Sequence, residues 1–196
     1  MYKFAKIVVS PFYRLLFRFK ITGRENVPKT GSVILCANHT SNQDVLVLAV
    51  ASRRSLHFLA KHELWKTKKL AWLFDRLGAV PINRENPSMD SFKRTVALLK
   101  DGRAIAIFMQ GGRREELNQD DAKAGVALFA VKGKSPVVPI NISSDFKVFS
   151  KVYINIGEPI SFEDYWDKKI RTEQLNEIAG RVMDAISSLK TPAAAV

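Results

Sequence analysis

The sequence predicts an α/β fold: one domain with a largely parallel central sheet covered by helices. Three observations carry this. Short apolar runs of strand length alternate with longer segments whose apolar residues recur at helical spacing, which is the pattern of a parallel, buried sheet. The chain has 196 residues, enough for one domain with a real core, and 46% of them are hydrophobic against 26% charged. No repeat, linker or change of composition marks a second domain.

Residues 1–21 read as a separate helical segment, followed by the main domain over 22–190 and a frayed tail over 191–196. The segment is apolar and aromatic but is interrupted by Lys3, Lys6, Arg14, Arg18 and Lys20. That breaks the run of ~20 apolar residues a membrane span needs, and no small-residue cleavage site marks it as a signal peptide. Phe and Leu studded with cations are the composition of an amphipathic helix lying in a membrane interface. A core-packing helix with a basic outer face is the competing reading, and the two are not exclusive. Pro11 is expected to kink this helix.

The remaining elements follow in order. Thr22 to Ser32 is loop-rich and closes at Gly31. Val33 to Ala37 is a buried strand, and Asp44 to Ala51 a short helix with Ser41 or Asn42 as its cap. Leu56 to Ala60 is a second short strand. Glu63 to Leu77 has helical spacing in Leu64, Trp65, Leu70, Leu73 and Phe74, and Trp65, Trp72 and Phe74 read as core or membrane-facing rather than ligand-stacking. Gly78 to Ile82 is a strand, Met89 to Leu99 an amphipathic helix stopped at Asp101-Gly102, and Ala104 to Met109 a buried strand. Residues 122 to 132 form a helix, Val137 to Ile142 and Val152 to Ile156 are strands, and Glu173 to Leu189 is the last helix.

The net charge of +12 favours anionic partners, but Lys and Arg are scattered without a long basic run, and no nucleic-acid-binding signature is present. Cys36 stands alone, so no intramolecular disulfide forms, and its place inside an apolar run makes it a core thiol. One Cys and three His give no zinc pattern, so no metal is expected. His57 and His62 read as packing or surface residues.

The chemistry concentrates in Asn38-His39-Thr40-Ser41-Asn42-Gln43-Asp44. A strand ending at a histidine puts an imidazole at the rim of the sheet, and an aspartate five positions on can hold that ring in one tautomer. This is the minimum apparatus for taking a proton from an alcohol. Ligands in such sheets bind beyond the carboxyl ends of the strands. Asn83-Arg84 and Gln110-Gly111-Gly112-Arg113-Arg114 also follow strands, so all three clusters can line one cleft. Asn38, Lys61 and Lys123 are further candidates to face it. Each signal alone is weak: His-x4-Asp recurs by chance, and a single Arg after a strand is usually solvated.

Taken together and in order, these blocks make the chain resemble the lysophosphatidic acid acyltransferase family, the 1-acylglycerol-3-phosphate acyltransferases, in a short bacterial form. Asn38 to Asp44 matches the His-x4-Asp block, Gly78 to Arg84 the block ending in Arg, Phe108 to Arg113 the Phe-Pro-Glu-Gly-Thr-Arg block, and Val137-Val138-Pro139-Ile140 the Val-Pro-Ile block. The resemblance spans about residues 1–190. It implies transfer of a fatty acyl group from a thioester of coenzyme A or acyl carrier protein to the sn-2 hydroxyl of lysophosphatidic acid, giving phosphatidic acid. No further cofactor is implied.

On that resemblance His39 is the general base and Asp44 its orienting partner. Arg84 and Arg113 bind the substrate phosphate, and Gln110, Gly111 and Gly112 form the acceptor or oxyanion pocket. The expected partners are membrane lipids, a lysophospholipid and the acyl carrier, without nucleic acid, at the cytoplasmic face of the membrane as a peripheral or monotopic protein. The sequence leaves the oligomeric state open. It departs from the third block, with Met109, Gln110 and Gly112 in place of Pro, Glu and Thr. Gln110 keeps an acceptor but loses a charge, which leaves open another lysophospholipid acceptor. A non-catalytic peripheral membrane protein is the alternative from a different class.

Overall fold

The computed structural model describes residues 1–83, 88–109 and 119–190, with side chains left aside for 119–124. Seven strands among them form one sheet in the order β1-β7-β6-β2-β5-β3-β4. The strands are β1 (Arg18–Thr22), β2 (Val33–Ala37), β3 (Leu56–Lys61), β4 (Val80–Ile82), β5 (Ala104–Phe108), β6 (Val137–Ser143) and β7 (Lys151–Ile156). All neighbours run parallel except β6 and β7. The central strand β2 is buried at every position, the behaviour of a short apolar run covered on both faces.

The helices are α1 (Tyr2–Leu16), α2 (Asp44–Ala51), α3 (Lys68–Leu77), α4 (Met89–Lys100), α5 (Gln119–Lys132) and α6 (Thr172–Ser188). Two apolar clusters lie on opposite faces of β2, because alternate residues of a strand point to opposite sides. Val33, Leu35 and Ala37 pack with Phe17 and with Val47, Leu48 and Ala51 of α2. Ile34 and Cys36 pack with Leu99 of α4, with Val126 and Ala130 of α5, and with Ile178 and Val182 of α6. Cys36 is the core thiol the sequence predicts, and burial pushes its pKa far above the usual thiol range.

Residues 1–21 are not helical throughout. The helix includes Pro11 and ends at Leu16; Phe17 turns extended, and Arg18–Thr22 joins the sheet as β1 beside β7. The alternating exposure of β1 explains the difference from the helix expected there: it is an edge strand whose Arg18, Lys20 and Thr22 face solvent, and its cations resemble the polar positions of a helix. Phe17 is the hinge, buried between the rings of Tyr13 and Phe146 at 5.6 and 5.9 Å. The face of α1 carrying Phe4, Ile7, Val8, Phe12 and Leu15 points outward and is exposed.

Two smaller expectations also change. Between β3 and α3, His62–Trp65 is a 3₁₀ turn, so the predicted helix from Glu63 is split. The cap of α2 is Gln43 rather than Ser41 or Asn42. His57 is structural, as expected: its Nδ1–H donates to the Gly78 carbonyl at 2.8 Å.

Candidate active site

The carboxyl ends of β2, β3, β4 and β5 lie on one rim because these strands are parallel. The backbone leaves β2 at Ala37, and the side chain of Asn38 decides what happens next. Its amide N–H donates to the Ile142 carbonyl at 2.8 Å, and its carbonyl accepts from the Ile142 N–H at 2.7 Å. An amide side chain thus takes the place of a peptide unit in the β2–β6 ladder. This lets the main chain turn off the sheet while β6 keeps its partners.

His39 stands where the chain turns. Its Nδ1 lies 3.0 Å from Asp44 Oδ2. Asp44 is 0% exposed and His39 22%, so the carboxylate is sealed while the ring reaches solvent. The same Oδ2 accepts the backbone N–H groups of Thr40 and Ser41, each at 2.7 Å. A carboxylate oxygen can only accept, so in the contact with Asp44 the proton belongs to His39 Nδ1. Nε2 then carries the free lone pair. Asp44 is also the first residue of α2, where the positive end of the helix dipole favours negative charge.

One face of the imidazole rests on Phe108, the last residue of β5. The rings stack at 4.5 Å with 29° between planes, and Phe58 of β3 continues the stack at 6.5 Å from Phe108. Register explains the contact: Phe108 sits opposite Ala37, two residues before His39. In the sequence Phe108 stands only as the first residue of a block, with no role of its own. The signal was present, an aromatic at the end of a strand, but it needs the pairing of β2 with β5.

The constellation can therefore orient a neutral imidazole and stabilise its protonated form, which is what a general base requires. Among the predicted site residues, the structure brings Asn38, His39 and Asp44 together, and leaves Lys61 exposed at the end of β3. Arg84, Gln110, Gly111, Gly112 and Arg113 lie outside the described residues, as does the side chain of Lys123. The residues just before them, Asn83 after β4 and Met109 after β5, stand on the same rim as His39. Met109 donates its N–H to the Ala37 carbonyl at 2.9 Å, which brings the two chain exits together.

The sequence pattern of the acyltransferase family matches residues 18–143. The chain is 32% identical over 171 residues to a 1-acyl-sn-glycerol-3-phosphate acyltransferase of Bacillus subtilis, covering 84% of this chain and 85% of that one. A Streptococcus pneumoniae protein of the same name is 30% identical, across 80% of this chain and 60% of its own length. The fold resembles the crystal structure of the 1-acyl-sn-glycerophosphate acyltransferase PlsC from Thermotoga maritima, with a TM-score of 0.65 and 21% identity, covering 96% of this chain and 82% of that one.

Proposed function

This chain belongs to the acyltransferase family, and from that premise we propose that it acylates lysophosphatidic acid at the sn-2 hydroxyl to give phosphatidic acid. The observation that carries the reading is the buried Asp44 carboxylate 3.0 Å from His39 Nδ1, which leaves Nε2 as the base. The acceptor hydroxyl gives its proton to Nε2 as its oxygen attacks the thioester carbonyl. The C–S bond then breaks, and the thiolate of the carrier, coenzyme A or acyl carrier protein, takes the proton back from the imidazolium. The imidazolium formed in this sequence lies beside the buried carboxylate, so the pair favours the transition state over the ground state.

Arg84 and Arg113 are the residues for the acceptor phosphate, whose oxygens suit a forked guanidinium. Gln110, Gly111 and Gly112 supply the pocket between phosphate and thioester, with Lys61 and Lys123 as further cations. The outward face of α1 docks the protein on the cytoplasmic surface of the membrane. Phe4, Ile7, Val8, Phe12 and Leu15 are exposed there, with Lys3 and Arg14 beside them. No helix among the described residues is long and apolar enough to cross a bilayer. Burial, together with repulsion from Arg24 and Arg14, lowers the pKa of Lys6 on the inner side of α1, where it donates to the Ser52 carbonyl.

Gln110 in place of the family's Glu supports a second reading, another lysophospholipid as acceptor. One experiment addresses both. Purified protein is given acyl-coenzyme A or acyl carrier protein thioester with a panel of lysophospholipids in vesicles, and product masses are measured. Phosphatidic acid is the expected main product, lost in His39→Ala. Equal thiol release by wild type and His39→Ala would refute the assignment of the base, and turnover on no acceptor would favour a non-catalytic membrane protein.

A further inference from the structure

The segment that follows β3 leaves its apolar side chains uncovered. α3 has no buried residue. Leu64 of the preceding 3₁₀ turn, and Leu70, Trp72 and Leu73 of α3, are all exposed, Trp72 at 54%. The inner side of the helix is secured independently: Trp65 packs on Phe74 at 5.1 Å and donates its indole N–H to Asp75 at 3.1 Å. By helical spacing Lys69, Trp72, Leu73 and Arg76 share the outer face. Lys68 and Lys69 border the open apolar groove formed with Trp72 and Leu73, and the Arg76 guanidinium lies 5.3 Å from the Trp72 ring centre. Lys66 adds a further exposed cation.

We infer that α3 is a second docking helix, which seats on a bilayer surface containing anionic lipid and holds the rim around His39 against the headgroups. The inference rests on the reading of the chain as an enzyme of bilayer-borne lysophospholipids. Charge selects the occupant: Lys66, Lys68, Lys69 and Arg76 flank the apolar residues, which is the composition of an interfacial helix facing anionic headgroups. A tryptophan with one apolar face and one polar edge belongs at that depth.

Position agrees. The β3–α3–β4 connection moves across the sheet in the same direction as β2–α2–β3, so crossovers of one hand put α3 on the sheet face that α2 and α1 cover. The turn leading into α3 starts at the carboxyl end of β3, on the rim that carries His39. The aromatic stack His39–Phe108–Phe58 runs from the base to that same strand. α1 and α3 thus bracket the site on one side of the molecule, and an acceptor can pass from leaflet to base along apolar surface.

The test places an environment-sensitive fluorophore on the full chain at Leu73→Cys; Cys36 is fully buried with a raised thiol pKa and stays unlabelled. Phosphatidylcholine vesicles with and without phosphatidylglycerol are added. The expected result is a blue shift on vesicles containing phosphatidylglycerol, and quenching by lipids carrying bromine on their acyl chains. In unlabelled protein, Trp72→Ala combined with Leu73→Ala should lower vesicle partition by roughly tenfold or more. It should lower turnover on vesicle-borne lysophosphatidic acid in step, while turnover on a short-chain, water-soluble acceptor persists. If the protein sediments with the vesicles while the probe at 73 stays aqueous, the inference is overturned and docking through α1 stands. If the protein sediments with neither vesicle, docking by both helices is overturned. Wild type inactive on both acceptors would instead refute lysophosphatidic acid as the acceptor, with the fluorescence still deciding docking.

Discussion

Replacing Asp44 with Asn tests the site most directly. Oδ2 of Asp44 accepts three donors, His39 Nδ1–H at 3.0 Å and the Thr40 and Ser41 N–H groups at 2.7 Å. An asparagine can keep that geometry in one way only, with its carbonyl oxygen at the Oδ2 position, because an NH₂ there would meet three donors. The ring then stays in place and the charge is lost. In the folded ground state this weakens three charge-assisted bonds to neutral ones, which costs about 2–3 kcal/mol in total. In the transition state the imidazolium also loses its counter-charge. A unit charge pair at about 4 Å with an effective dielectric near 20 is worth about 4 kcal/mol, or roughly a thousandfold in rate. The comparable carboxylate-to-amide change in a serine-protease triad costs ~10⁴. Turnover of Asp44→Asn, measured as phosphatidic acid formed at saturating thioester and acceptor, should fall by about 10³–10⁴ with little change in the acceptor KM. Circular dichroism should show a folded protein with a lower Tm. Activity within tenfold of wild type, with that fold intact, would refute the argument that the buried carboxylate carries the imidazolium.

Three further outcomes follow from the same geometry. Asn38→Ala removes both bonds to the Ile142 backbone and leaves a strand N–H unpaired, so thermal denaturation should show a loss of about 2–3 kcal/mol, and His39 should become less well placed, with lower kcat. Gly78→Ala puts a methyl 2.9 Å from His57 Nδ1 at a residue with φ +75°, a left-handed conformation that disfavours a side chain; urea titration should report a loss of ~1 kcal/mol or more without a matching fall in kcat. Gln110→Glu restores the carboxylate of the family's block, and a rise in turnover on lysophosphatidic acid of more than about tenfold, some 1.4 kcal/mol of barrier, would show that the glutamine handicaps that acceptor.

Much of the fold was legible because its signals are local. The apolar runs at Val33, Ala104 and Val137 are too short for buried helices and read as buried strands, and the helical spacing of the stretches between them reports one covered face each. β1 was missed because an edge strand with one exposed face can carry charged residues in a row. Arg18 and Lys20 read as polar helix positions until β7 supplies their backbone with partners. Which face of α1 packs inward was likewise undecided, since both faces are apolar; Tyr2, Tyr13 and Leu16 turn to the core and Phe4, Ile7 and Phe12 do not.

At the site the division has the same cause. His39 and Asp44 lie five residues apart, so the contact between them is local and can be anticipated from the order of residues. The family's blocks, in sequence, likewise point to acyl transfer. Phe108 reaches His39 from a strand 69 positions away, and Ile142 meets Asn38 across 104, and both contacts exist only because β5 and β6 flank β2. The sequence by itself determined the His39–Asp44 pairing, the α/β class and the cationic, apolar character of the surface. Strand order is set by how whole apolar faces are buried against one another, a property of all the elements at once. Only the tertiary structure decided what holds the imidazole in place, and which apolar faces remain turned outward.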